Sequence, residues 1–266
     1  MPQAAAEATW LWRPVTNPAT MITFLRAWGV REVFVGVPWT GPDPRIVATA
    51  TALRAAGFAV SCLGGDPGWA ESPDLASRWV TQAVATGLFT GIHLDIEPWT
   101  LCGWRGREAE LLDGILLAVE AAQQAAGELS AGPGDHVPVD VDLPAWVAID
   151  HPVAFGRIAH AADRLTILAY RDRATDILAF AAAGRRLSTA ATRAYRIAVE
   201  TLPTREPHTT FADDGIHVLR RELNLLTTAL ADNPDWRGIA VHDVTGWQDL
   251  VIRNQPVFGA GSPHPA

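Results

Sequence analysis

The sequence predicts an α/β fold, a single (β/α)8 TIM barrel, from three observations. Eight short apolar runs bounded by turn residues recur along the 266 residues, each followed by a helical pattern or a loop leading into one. Capping side chains stand before prolines where helices should begin, and no Pro/Gly/Ser-rich linker divides the chain. Strand then helix, eight times over, is the arithmetic of a barrel of about 250 residues. We expect one barrel domain over residues 1–258 and a flexible tail over 259–266.

The predicted strands are residues 8–13, 32–39, 59–64, 91–97, 137–143, 165–170, 196–201 and 238–243. Asn17-Pro18, Asp43-Pro44 and Ser72-Pro73 each place a capping residue before a proline suited to the first helical turn. The Ala- and Leu-rich stretch 108–126 predicts the helix after the fourth strand, and 213–231 the one after the seventh. Gly57 and Gly87 close helices just before strands three and four. Residues 130–135 read as a loop.

Composition narrows the chemistry. With 48% hydrophobic residues and 19% charged, the chain can bury a large core. A net charge of −8 with no basic run argues against a nucleic-acid or anionic-membrane partner and favours a small molecule. All 21 basic residues are Arg, so lysine Schiff-base chemistry is excluded. The first residues show neither a basic nor an apolar leader pattern and no window reaches the length of a membrane span, so the expectation is a soluble cytoplasmic protein. Cys62 and Cys102 form no disulfide or zinc pattern and read as free thiols. There is no dinucleotide or phosphate-binding glycine loop, no nucleophile elbow and no paired-histidine metal spacing. No cofactor and no metal are therefore expected, and the oligomeric state stays open.

The most informative stretch is Gly91-Ile92-His93-Leu94-Asp95-Ile96-Glu97-Pro98-Trp99. Strand alternation sends His93, Asp95 and Glu97 to one face. At the C-terminal end of a barrel strand, a close Asp/Glu pair raises the pKa of one carboxyl and makes it a general acid. The same mouth should collect Trp12, Arg13, Trp39, Asp66, Trp69, Trp99, Asp142, Trp146, Tyr170, Arg171, Glu200, His242 and Trp247. Six of the eleven tryptophans lie at or just past predicted strand ends, which suits stacking on sugar faces or enclosing a cation. Glu200 on strand seven faces strand four across the axis, so it is a candidate nucleophile or base. Asp142 is a candidate for binding a hydroxyl. The structural alternatives are an ion pair of Glu97 with Arg13 or Arg171, a structural Glu200–Arg pair, and a core role for His93.

These residues resemble those of chitinase-type (family-18) glycoside hydrolases. In the fourth-strand motif of that group, alternating aspartates end in a catalytic glutamate. The resemblance implies that Glu97 is the general acid and Asp95 the aspartate that orients an acetamido group, while His93 replaces one aspartate and Thr90 another. Leu168-Ala169-Tyr170-Arg171-Asp172 is similar to the sixth-strand Met-x-Tyr-Asp segment, with Arg171 displacing the acid by one place, and Trp247 is similar to the tryptophan that floors the sugar subsite. Glu200 resembles instead the seventh-strand nucleophile of the large clan of retaining glycosidases.

The leading expectation is a glycoside hydrolase-like enzyme acting on a small glycoside, with Glu97, Asp95, Glu200 and Tyr170 carrying the chemistry. Two others stand beside it: an acid-initiated carbocation cyclase or isomerase with an aromatic pocket, and a catalytically inactive sugar-binding barrel.

Overall fold

The computed structural model describes residues 6–129 and 136–253; the expected loop 130–135 and tail 259–266 fall outside them. Eight parallel strands close into a barrel in sequence order. They are β1 (Ala8–Leu11), β2 (Glu32–Gly36), β3 (Ala59–Gly64), β4 (Gly91–Leu94), β5 (Val139–Pro144), β6 (Arg164–Leu168), β7 (Ala194–Glu200) and β8 (Trp236–His242). Each falls on a predicted run. The main difference is length: β4 leaves the ladder three residues earlier than expected, although Asp95 N–H still donates to the Gly64 carbonyl at 2.9 Å. That bond carries the alternation past the strand end and keeps Asp95 and Glu97 on the inner side.

The helices that wrap the barrel are α1 (Pro18–Ala27), α2 (Pro44–Ala55), α3 (Asp74–Val84), α4 (Glu108–Leu129), α5 (Ala145–Asp150), α6 (Pro152–Ala161), α7 (Ala174–Ala190), α8 (Ile216–Leu230) and α9 (Val244–Arg253). Asn17 and Asp43 cap α1 and α2 through their side chains, each ahead of a proline in the first turn, as the sequence predicts. Ser72 does not cap α3. Pro73 itself stands at the cap position, one residue before the helix. The side chain that does cap here is Asp66, which accepts from Gly68 N–H at 2.8 Å and starts a short 3-10 turn at Pro67–Ala70. Gly57 and Gly87 both take positive φ, which ends α2 and α3 without the steric cost a side chain would bring.

Two apolar layers hold the fold together. The larger lies between strands and helices and includes Leu25, Val33, Leu53, Ile92, Ile115, Val141, Phe155, Ile167 and Leu219, all fully buried. At roughly 1.5–3 kcal/mol for each such side chain removed from water, this layer dominates stability. The smaller fills the barrel with Ala8, Trp10, Phe34, Leu63, Leu168, Ala198 and Ala240, with Tyr170 packed above.

Below that inner layer the barrel is plugged by charge. Arg196 bridges Glu32 and Asp140, Ser61 Oγ donates to Glu32 at 2.6 Å, and Arg164 reaches Glu32 at 3.3 Å. Burial alone would push Glu32 and Asp140 up, but the arginines, and for Asp140 also His93, outweigh it and hold both below their usual range. No helix among the described residues is long and apolar enough to cross a membrane.

Candidate active site

The site lies above the inner apolar cluster, at the C-terminal ends of the strands. His93 on β4 lies under it, fully buried and stacked on Phe34 with ring centroids 3.7 Å apart. Burial disfavours a charged ring, yet Asp142, 2.8 Å from Nε2, and Asp140, 3.7 Å from Nδ1, outweigh that and push His93 up to about 10. The core reading of His93 holds: the ring is fully buried, and the two aspartates beside it favour its charged form. Asp142 also accepts from the Trp10 indole at 3.2 Å. Its other oxygen, like one oxygen of Asp95, is buried without a hydrogen-bond partner.

Above this level a cavity of about 400 Å³ is lined by Trp12, Gly65, Pro67, Asp95, Glu97, Leu168, Tyr170, Glu200 and His242. It sits at the C-terminal ends of the strands, as barrel sites do. Gly65 makes the narrow approach between β3 and β4 possible: a Cβ there would stand 1.8 Å from the Asp95 carbonyl oxygen. Asp95 is pushed well up by burial and by repulsion from Asp142 and Glu97. Glu97 is raised by burial and by Asp142, while His242 and Trp99 pull the other way. Burial and the surrounding carboxylates likewise raise Tyr170, which stays a neutral phenol. Glu97 has no ion pair with Arg13 or Arg171, so the salt-bridge alternative does not describe it.

Glu200, at the end of β7, is paired in register with His242 at the end of β8. Its Oε1 accepts the backbone N–H groups of Thr201 and Leu202, both at 2.7 Å. His242 Nδ1 lies 3.1 and 2.9 Å from its two oxygens. On the far side of the ring, the Trp12 indole donates to Nε2 at 2.9 Å. An indole only donates and a carboxylate only accepts, so this arrangement puts the ring proton on Nδ1. The structural alternative of a Glu200–Arg pair does not describe this carboxylate: its ion-pair partner is His242. The Glu200–His242 pair is the feature sequence reading missed, although both residues end adjacent predicted strands on the inward face.

No model of a known protein family matches the chain, and no curated protein matches it in sequence. Solved structures do match it in fold. It is similar to a chitinase from Chromobacterium violaceum at 13% identity, over 94% of this chain and 98% of that one, with a TM-score of 0.56. A family 18 chitinase from Crocus vernus matches at 12% identity, over 91% and 94%, with a TM-score of 0.56. An endo-β-N-acetylglucosaminidase from Cordyceps militaris matches at 15% identity, over 96% and 91%, with a TM-score of 0.54. At these identities what the likeness carries is the fold, a TIM barrel.

Several expected wall residues lie elsewhere. Trp247 does not floor the cavity: α9 starts directly after β8, which turns Trp247 outward between the helices, fully buried against Trp28 and Phe24 with ring centroids at 4.9 and 5.3 Å. Asp142 is one layer too deep to meet a hydroxyl, locked by His93 and Trp10. Trp99 and Trp146 pack on each other and on Trp104, beside the mouth rather than in its wall. Arg171 folds back, donating to the Tyr170 carbonyl at 2.6 Å and lying over the Phe180 ring. Arg13 is exposed and does not line the cavity. Trp39 and Asp66 line a neighbouring hollow of about 480 Å³ with Trp69 and Trp79, which meets the mouth at Gly65.

A larger hollow of about 810 Å³ lies on the helix layer at α4, α6 and α7. Its ionisable residues, Glu120, Arg157 and His160, are all exposed, so it lacks the desolvated, converging groups that acid–base chemistry needs.

Proposed function

We propose that this protein is a glycoside hydrolase-like enzyme acting on a small glycoside, with Glu97 as its general acid. The observation that carries the reading is Glu97 itself: a carboxyl raised by burial and by like charge, without an arginine partner, in the wall of a cavity at the barrel mouth. Such a group keeps its proton at higher pH than a solvated glutamate and can deliver it to a glycosidic oxygen. Burial and the charges of Asp142 and Glu97 raise Asp95 beside it, so the neighbouring carboxyl also holds its proton to higher pH. Tyr170 and Glu200 supply a neutral phenol and a second carboxylate close to the developing oxocarbenium centre.

The cavity volume suits a small substrate, at the lower end of ligand pockets. Its wall favours a hydroxylated substrate over an apolar one, because Asp95, Glu97, Tyr170, Glu200 and His242 all reach it. That weighs against the carbocation reading, which calls for a dry, closed pocket.

The test is release of aglycone from a panel of aryl glycosides, with and without a 2-acetamido group. Glu97→Gln should lower turnover by about 10²–10⁴-fold, the usual share of a general acid. Equal turnover by wild type and variant would remove Glu97 from the chemistry. A need for the acetamido group would assign the attack to the substrate itself.

A further inference from the structure

We propose that His242 is the general base of the reaction and that Glu200 is its positioning residue, so that hydrolysis proceeds by a single displacement with inversion at the anomeric carbon. The inference rests on the glycosidase reading above and deepens it.

Hydrogen bonds fix the Glu200 carboxylate from two sides. Oε1 is occupied by two backbone N–H groups, and both oxygens lie within hydrogen-bond distance of His242 Nδ1. A carboxylate anchored in this way is well placed to hold an imidazole in one tautomer and poorly placed to move onto a substrate carbon. The opposite ring nitrogen, Nε2, then carries the ring's lone pair, directed at Trp12. The structure shows that a donor fits there, because the Trp12 N–H occupies the position at 2.9 Å. Trp12 is 38% exposed on the rim, so its indole can leave without disturbing the core. A water molecule in its place would present an O–H to Nε2 inside the same cavity as Glu97.

The step then balances. Water oxygen bonds to the anomeric carbon as the glycosidic C–O bond breaks. Nε2 takes the water proton, Glu97 gives its proton to the leaving oxygen, and solvent returns the proton from His242 to Glu97 between turnovers. The productive state keeps a proton on Glu97 and none on Nε2. The groups around the ring set this balance. Burial opposes an imidazolium, and Glu200, Asp243 and Asp95 favour it strongly enough to raise His242 overall. Trp12 bonds only to the bare nitrogen and so favours the neutral ring. Tyr170 and Trp10 contact the ring without charge.

The decisive experiment follows the product anomer by proton NMR during hydrolysis of whichever aryl glycoside the wild type cleaves. The inverted anomer first is expected. The retained anomer, or a covalent adduct on Glu200 with a 2-deoxy-2-fluoro glycoside, would overturn the inference while leaving the glycosidase reading intact. A wild type silent on the panel would overturn both. His242→Ala should lose most turnover and regain at least tenfold on addition of imidazole; no rescue in a folded variant counts against the base. Glu200→Gln should move the His242 limb of the kcat/KM profile to lower pH, because the carboxylate no longer favours the imidazolium. Turnover abolished at every pH would instead mark Glu200 as the nucleophile. Titration of the ring by NMR supplies a readout independent of turnover: Trp12→Phe should raise the His242 pKa, and an unchanged value would mean that the indole does not hold the ring neutral.

Discussion

The two ends of the barrel interior are built from the same kinds of residue and behave in opposite ways. At the closed end, Glu32 and Asp140 are neutralised by Arg196 and Arg164, and both carboxyls are held below their usual range. At the open end, Asp95 and Glu97 face Asp142 with no arginine between them, and all three are raised. Pairing makes the lower cluster a plug. Without that pairing, burial and like-charge repulsion raise the upper carboxyls, which is the tuning that the acid role proposed for Glu97 requires.

The largest expected effect comes from breaking the plug. Arg196→Met leaves two buried carboxyls without their main counter-ion and should cost about 3–5 kcal/mol in chemical denaturation. The sign of the pH dependence follows from the lowered values of Glu32 and Asp140: their stabilisation is present above their unfolded pKa and lost as pH falls through the folded one. The cost of Arg196→Met should therefore shrink in acid, and a cost below about 1 kcal/mol at neutral pH would mean that the plug is not what closes the barrel.

Next comes Trp247→Phe, which trims a side chain wedged against Trp28 and Phe24 and should cost about 0.5–3 kcal/mol. Aryl glycoside KM should stay at the wild-type value, because the residue lies in the helix layer. A raised KM with full stability would return Trp247 to the mouth.

Asp95→Asn sharpens the contrast by acting with the opposite sign. A carboxyl raised in the folded state stabilises below its unfolded pKa, and that contribution is lost as pH rises through the folded value. The variant should thus gain stability over wild type as pH rises from about 4 to neutrality, while losing activity. A gain that falls with rising pH would reverse the assignment. The smallest effect belongs to Trp39→Ala: at 45% exposed, this residue should change stability by no more than about 0.5 kcal/mol. Its loss should show in KM for glycosides carrying a bulky aglycone.

The sequence reading went furthest where a periodic pattern meets one physical demand. Every strand was legible because apolar runs between turn residues have no other place in a barrel, and Asn17 and Asp43 marked their helices because a cap bond is local. Depth along the axis was not legible. Alternation places both Asp142 and Glu200 inward, but only the packing between strands ties Asp142 to His93 and Trp10, out of the cavity wall, and leaves Glu200 in it. Trp247 was misread for a related reason. An aromatic residue shortly after a strand looks the same whether a loop carries it over the mouth or a helix begins at once. Tandem Glu200 and His242 could have been found by aligning the ends of the seventh and eighth predicted strands.

The contact between Trp12 and His242 spans 230 residues of sequence and sits across the seam where β1 meets β8, a ladder of two residue pairs where β2 and β3 share five. The catalytic arrangement proposed here is therefore among the last things the chain can assemble, since the first strand must wait for the eighth before the pocket has a wall on that side. Folding and competence arrive together: a chain that has laid down most of its barrel, with the seam still open, would hold Glu97 in place and still have nothing to complete the reaction.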